Sequence, residues 1–346
     1  MPEEPPWRLA DHTTLRLGGP ARSWVRAASE QELVDAVTAA DEDAGEVLVL
    51  GGGSNVVVAD AGFPGTVVEV ATTGVEADVE DDDPTCGGVL VRVAAGEEWD
   101  GFVAQAVERG WVGIEALAGI PGLVGATPIQ NVGAYGQEVS QTIASVRVWD
   151  RVLKGVRTFA NAECVFGYRT SRFKADPGRH VVLEVTFQLR QGSLGGPVQY
   201  AELAGALGVP PGERASLADV RAAVLDLRRS KGMVLDPDDH DTWSAGSFFT
   251  NPVVAPSDLP PDAPAWPQPD GRVKTSAAWL IEHAGFGKGY GAGPVTLSTK
   301  HTLALSNRGG ATTELLLALA REIRDGVEAA HGIRLVPEPV LVDCEL

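Results

Sequence analysis

The chain has 346 residues, a formal net charge of −19 and 44% apolar residues, enough length for two or three domains with full cores. Its basic residues form no long run, so the acidity disfavours a nucleic-acid or anionic-membrane partner; the acidic excess gathers at residues 80–83 and 236–241. Three scattered cysteines, Cys86, Cys164 and Cys344, make no Cys-x-x-Cys pair, which argues against a disulfide framework or a metal site and fits a reducing compartment.

The opening MPEEPPWRLADH lacks the apolar stretch of a signal peptide, and no apolar run approaches the ~20 residues that span a bilayer. A cytoplasmic protein without stable membrane association is expected. Ser29 and Glu32 have capping-box spacing ahead of Leu33, Val34 and Val37, and Gly45 can end the helix they start. Residues 46–50 (EVLVL) read as a short buried strand, 66–70 (TVVEV) as another and 89–94 (VLVRVA) as a third. Trp99, Phe102, Val103, Ala106 and Val107 mark the next helix, and strands follow near 145–149 and over 180–189. Ser216 with Asp219 caps a helix reaching about Arg229, the proline-crowded 252–269 is a loop, and 313–330 is a long amphipathic helix. The pattern changes after about Gly195, which divides the chain into three α+β lobes: 1–80 with 313–346, 81–212, and 213–312.

Two glycine-rich stretches stand out. Residues 113–140 (GIEALAGIPGLVGATPIQNVGAYGQEVS) give up side chains at Gly119, Gly122, Gly125, Gly133 and Gly136, as does a backbone that approaches something closely. Small Ala126 and Thr127 and the amides of Gln130 and Asn131 add polarity without bulk. The strand at 46–50 runs into Gly51-Gly52-Gly53-Ser54-Asn55 and then three valines. Strand, glycines, strand is the wrong order for a Rossmann fingerprint, and the Walker ending is missing. Each stretch alone could be a surface loop; together they suggest a phosphate-bearing cofactor held by main-chain amides from two turns.

Three side chains could carry chemistry. Arg169, in FGYRTS, offers a planar fork for a carboxylate or phosphate, or is an ordinary surface arginine. Ser247, in AGSFFTNP, sits between a glycine and two aromatics and is no Gly-x-Ser-x-Gly elbow. It either delivers a proton in a dry pocket or satisfies a buried turn. Glu338, between Pro337 and Pro339, is either an acid in an apolar strand or an exposed edge residue. Tyr200 and Lys231 could bind phosphate or be plain surface and cap residues.

In their order and spacing, TTLRLGGPA, LGGGSN, AGIPGLVGATPIQNVGAYG, FGYRTSRFK, AGSFFTNP, AAWLIEHAGFGKG and the terminal PEP span nearly the whole chain. The sequence resembles the UDP-N-acetylenolpyruvoylglucosamine reductase family of peptidoglycan synthesis. The resemblance implies an α+β FAD-binding fold of the vanillyl-alcohol-oxidase type, two lobes holding noncovalent FAD and a third lobe covering substrate. GGGSN (Gly51, Gly52, Gly53, Ser54, Asn55) and Ile120, Pro121, Gly122, Gly125, Ala126 and Thr127 would cradle the pyrophosphate. Gln130, Asn131, Gly133, Ala134, Tyr135 and Gly136 would lie close by. NADPH is the implied reductant and a UDP-sugar the implied substrate, contacted by Tyr200 (folded over the diphosphate), Lys231 and Asn251. Ser247 would protonate the substrate α-carbon while Arg169 and Glu338 stabilise the enolate-like charge. A monomer is expected.

Two positions depart from the family pattern. His301 stands where some relatives carry Gln and receives no role, and the tail reads EPVLVDC where many members have Val-Arg after the acid. Other readings are an FAD-dependent alcohol or sugar oxidase of the same superfamily, or a flavin-binding regulatory protein. Several such oxidases attach flavin through a His or Cys that GGGSN lacks. A regulatory protein would have lost the Ser, Arg and Glu that this chain keeps.

Overall fold

The computed structural model describes residues 7–43, 45–78 and 88–346; the acidic turn at 80–83 and Cys86 lie outside the described residues. The chain divides into two compact units, one of Arg22–Gly52 and Pro64–Arg229, the other of Met1–Ala21, Gly53–Phe63 and Ser230–Leu346.

In the first of these, the Ser29 hydroxyl accepts from the Glu32 amide and the Glu32 carboxylate from the Ser29 amide, both at 3.2 Å. This reciprocal cap satisfies two amides that a helix start leaves bare and opens the helix Glu30–Glu42, which buries Leu33, Val37 and Ala40. The helix links Ala21–Ala27 to Val47–Leu50, and the latter lies parallel to Phe63–Val70 with Val47 opposite Thr66. These strands form a three-stranded sheet ordered 21–27, 63–70, 47–50. A six-stranded sheet follows, ordered Gly155–Ala160, Ile143–Asp150, His180–Gln191, Gly88–Ala94, Val75–Asp78, with Trp111–Val112 on the end of the 180–191 strand. Val89, Val91 and Val93 alternate inward, the period-two signature of a strand with one buried face. The helix Trp99–Glu108 lays Trp99 and Phe102 on Phe187, ring centroids 6.0 and 5.1 Å away.

Electrostatics join the two sheets of this unit. Arg147 in the strand Ile143–Asp150 grips Glu30 through two 2.6 Å hydrogen bonds, and Arg151 grips Asp41 near the other end of the same helix. Between them Asp150 is fully buried. Its carboxylate accepts from Arg179 at 3.1 and 3.0 Å and from the amides of Val152 and Leu153 at 3.1 Å each. The Arg179 hydrogen bonds, ahead of the opposing effect of burial, hold its carboxyl down at about 2.

The second unit draws on three stretches of chain. Val56–Val58 pairs in parallel with Val340–Val342. The helix Thr313–His331 starts on Asp60, whose carboxylate accepts from the Thr313 and Glu314 amides at 2.7 and 3.0 Å, an acid at the positive end of the helix dipole. Its face of Leu316, Leu319, Ile323 and Val327 joins one apolar cluster with Leu15, Leu17, Val57, Phe248, Phe249, Leu280 and Ile281. The proline-crowded stretch 252–269 differs from the loop expected: it contributes Val253–Val254 and Ala265–Pro267 to a three-stranded antiparallel sheet with Val273–Thr275 in the middle. Both are edge strands, where a proline such as Pro267 breaks no inner ladder. Among the described residues no helix is long and apolar enough to cross a membrane.

Because the Asp150 carboxyl titrates below its unfolded value, the stability it contributes is complete above about pH 4 and lost as pH falls towards 2. Asp150→Asn is expected to lower stability by about 2 kcal/mol at pH 7, the cost of leaving buried donors unmatched. Urea unfolding at pH 7 and pH 3 measures it: the gap between variant and wild type should narrow at the lower pH.

Candidate active site

The first glycine turn leaves the strand Val47–Leu50, and the second is stitched to residues 95–99. There the Trp99 amide donates to the Gly122 carbonyl (3.0 Å), the Val124 amide to Glu97 (2.9 Å) and the Gly125 amide to Ala95 (2.8 Å). The turns meet main chain to main chain. A Cβ on Gly52 would stand 2.8 Å from the Gly122 Cα, closer than any side chain permits, and Gly122 has φ +119°, open only to glycine. Among the described residues the amides of Gly52, Ile120 and Gly122 donate to no main-chain carbonyl. Donors from two turns, with no Cβ between, fit the pyrophosphate of a dinucleotide such as FAD. Gly51 and Pro121 are half-buried and Ala126 exposed, whereas Thr127 is buried with its hydroxyl donating to the Val124 carbonyl at 2.8 Å. Gly53 belongs to the other unit, where its carbonyl accepts from the Thr14 amide (3.1 Å); Ser54 follows it, and the Asn55 carbonyl accepts from Val340 (2.9 Å).

Beyond the second turn, Thr127–Gln130 forms one helical turn that ends on Asn131 in the left-handed region, φ +45°. The Asn131 side chain donates to Glu138 (3.0 Å) and to the Gly167 carbonyl (2.9 Å), and its oxygen accepts from the Ser140 amide (3.2 Å). Arg169, also left-handed at φ +53°, donates to the carbonyls of Gly133 (2.7 Å) and Asn131 (3.4 Å). Lys174 donates to the Gln130 side chain (2.8 Å) and the Arg169 carbonyl (3.1 Å). The FGYR motif is thus laced onto the QNVGAYG motif within one unit. Gly133 and Ala134 pair with Glu138 and Gln137 in a small hairpin, and Tyr135 and Gly136 form its turn. The Tyr135 ring meets Tyr200 edge to face, centroids 5.5 Å apart, and burial pushes the Tyr135 phenol up to about 12.

In the other unit, Gly246 turns at φ +71° and the buried rings of Phe248 and Phe249 follow the half-buried Ser247. The Glu338 amide donates to the Phe248 carbonyl at 2.8 Å and the Thr250 amide to Val336 at 3.0 Å. Ser247 and Glu338 therefore sit on neighbouring runs of chain, and Glu338 is half-buried. The Asn251 side chain accepts from the Ala277 amide (2.9 Å), at the start of the helix Ala277–His283; Lys231 is half-buried just past the helix Leu217–Ser230. His301 donates its amide to the Ser298 hydroxyl.

Several residues around these motifs carry no signal in the sequence. Asp241, almost fully buried, accepts from Thr299 and from Arg308 (2.6 Å), and Thr14 donates to the Ser244 carbonyl at 2.7 Å, three residues before Ser247. In sequence the aspartates of residues 236–241 stand out only as charge. Asp100 accepts from the Gly119 amide at 2.6 Å and from Arg221 at 2.8 Å.

An α+β fold with two converging glycine turns defines an FAD-binding protein, and residues 21–154 match the family model described as an FAD binding domain. Residues 236–342 match the model described as UDP-N-acetylenolpyruvoylglucosamine reductase, C-terminal domain. The enzyme of that name from Cutibacterium acnes is 59% identical over 98% of this chain and 90% of its own length, and that from Thermobifida fusca 57% identical over 98% and 97%. The solved UDP-N-acetylenolpyruvylglucosamine reductase of Thermus caldophilus aligns with a TM-score of 0.65 at 26% identity, over 97% of both chains. The chain belongs to the UDP-N-acetylenolpyruvoylglucosamine reductase family and is an FAD-dependent oxidoreductase.

Gly52→Val places side-chain atoms where the Gly122 main chain lies. It is expected to weaken FAD binding at least tenfold, about 1.4 kcal/mol, and to lower the unfolding temperature, because the Gly122 main chain has to shift to admit the side chain. Flavin retention on gel filtration, beside thermal unfolding of the flavin-free protein, measures both.

Proposed function

We propose that the chain catalyses NADPH-dependent reduction of UDP-N-acetylglucosamine enolpyruvate to UDP-N-acetylmuramate through FAD, a step in peptidoglycan precursor synthesis. The observation that carries this reading is the hydrogen bond from the Glu338 amide to the Phe248 carbonyl, which brings the Ser247 and Glu338 runs side by side. The residues that would hold FAD are Gly51, Gly52, Gly53, Ser54, Asn55, Ile120, Pro121, Gly122, Gly125, Ala126 and Thr127, with 130–136 alongside. When bound, FAD supplies the hydride chemistry between the nicotinamide and the substrate vinyl carbon.

The chain's own residues do the rest. Ser247 Oγ gives a proton to the substrate α-carbon. An alkoxyl proton is a weak acid in water, so the reading is supported by the buried Phe248 and Phe249, which exclude solvent beside it. Arg169 through its guanidinium, and Glu338 through a hydrogen bond donated by its protonated carboxyl, stabilise negative charge spread over the α-carbon and its carboxylate. Arg169 suits that role because its fork is already oriented by the Gly133 and Asn131 carbonyls. Tyr200, Lys231 and Asn251 contact the UDP-sugar, with Tyr200 over the diphosphate. The division into FAD lobes (1–80 with 313–346, and 81–212) and a substrate lobe (213–312), and a monomer in the cytoplasm, complete this reading.

The test is an anaerobic half-reaction. The FAD-loaded protein is reduced with NADPH, freed of nucleotide and mixed with the enolpyruvyl UDP-sugar. Fast flavin reoxidation is expected, slowed about 10²- to 10⁴-fold in Ser247→Ala with reduction by NADPH unchanged. Reoxidation by dioxygen alone would overturn the reading.

A further inference from the structure

Glu115 is a buried carboxylate, 1% exposed, that plays no part in the proposed chemistry. Its Oε2 accepts from the Gly113 amide at 2.7 Å, and its Oε1 accepts from Gln137 Nε2 at 2.9 Å and from the Gly196 amide at 3.1 Å. Gln137 closes the arrangement by accepting from the Ala116 amide at 2.8 Å. An ionised carboxylate presents acceptors alone, so it matches three converging N–H groups as no neutral side chain of its size can.

The donors come from different parts of the unit. Gln137 opens the second strand of the hairpin whose turn carries Tyr135, and Gly196 lies four residues before Tyr200. The run containing Gly196 is paired along its other side with residues 212–215, through Gly195 to Ala215 (2.9 Å) and Val198 to Glu213 (2.8 Å). Glu115 ties that run to the glycine-rich segment. The fit is close, since a Cβ on Gly195 would stand 2.7 Å from Glu115 Oε1. Beyond this tie the Tyr135 and Tyr200 rings meet edge to face, with Tyr200 49% exposed.

We propose that Glu115 is a positioning residue: by fixing Gln137 and Gly196 to one carboxylate it sets the Tyr135–Tyr200 pair, and so places Tyr200 against the diphosphate of the UDP-sugar. The inference rests on the proposed role of Tyr200, and the test separates the two.

Wild type, Glu115→Gln, Tyr200→Phe and the double variant are compared as FAD-loaded enzyme turning over NADPH and the enolpyruvyl UDP-sugar. Glu115→Gln turns an amide N–H towards a donor. It is expected to raise KM for the UDP-sugar about five- to tenfold, the size of one lost hydrogen bond. Flavin reduction by NADPH and kcat should stay within about twofold, the mark of lost uniform binding. Tyr200→Phe should raise KM by a smaller factor in the Glu115→Gln background than in wild type, a coupling that general loosening would not produce. An unchanged KM in Glu115→Gln, additive effects, or a parallel loss of FAD overturns the inference and leaves Tyr200 its role. A wild-type KM in Tyr200→Phe overturns the role of Tyr200 itself, and the inference with it. Should Glu115→Gln fail to fold, Gly195→Ala crowds the same carboxylate; the same rise in KM is expected, and its absence overturns the inference.

Discussion

Main chain pressed against main chain is the constraint on which the glycine-rich unit depends. At Gly52 and Gly122 no side chain separates the two turns, so each turn is fixed by the elements that feed it. The Gly122 turn is sewn to residues 95–99, and the helix Trp99–Glu108 leaves from that seam. Trp99 returns a hydrogen bond to the Leu117 carbonyl at 3.0 Å, while Asp100 holds the Gly119 amide on one oxygen and Arg221 on the other. In the proposed cofactor cradle the amides of these two turns come with no side chains to tune. Its shape is delegated to the packing of one helix on one sheet.

The same unit concentrates backbone strain where the motifs lie. Asn131, Tyr135 and Arg169 are non-glycine residues with φ of +45°, +49° and +53°, each costing about 1–3 kcal/mol. Hydrogen bonds hold two of them there: Asn131 is tied at both ends of its amide, and Arg169 is bound to the carbonyls of the segment it faces. A guanidinium that is already anchored loses little freedom when it meets an anion. The strain maintains orientation in advance.

Local chemistry was legible in the sequence, and long-range chemistry was not. The Ser29–Glu32 cap, the Ser216–Asp219 cap and the alternating valines of 89–93 each lie within a few residues, and each forms where the spacing predicts it. The glycine turns were legible because only a close approach explains so many missing side chains. Strands of two or three residues within 252–269 fell below any periodicity, and proline masked them further. Glu115 was invisible for another reason: two of its three donors lie 22 and 81 residues away, and the third is a main-chain amide, which almost any residue supplies. Asp150 carries no signal of its own either, because Arg179 reaches it from the turn ahead of the strand His180–Gln191, 29 residues on. The neighbouring runs of Phe248 and Glu338 needed the fold as well, although each motif stands out by composition.

The parallel pairing of Val56–Val58 with Val340–Val342, and the seating of the Thr313 amide on Asp60, can form only late in synthesis. The first partner of each contact emerges from the ribosome long before the second. At about 5–20 residues per second the nascent 53–63 stretch waits on the order of tens of seconds for its mates. The intervening unit, whose Pro64–Arg229 portion is contiguous, can fold during that interval. One valine-rich strand remains without its partner meanwhile, an edge open to pairing with another chain until Val340–Val342 arrives.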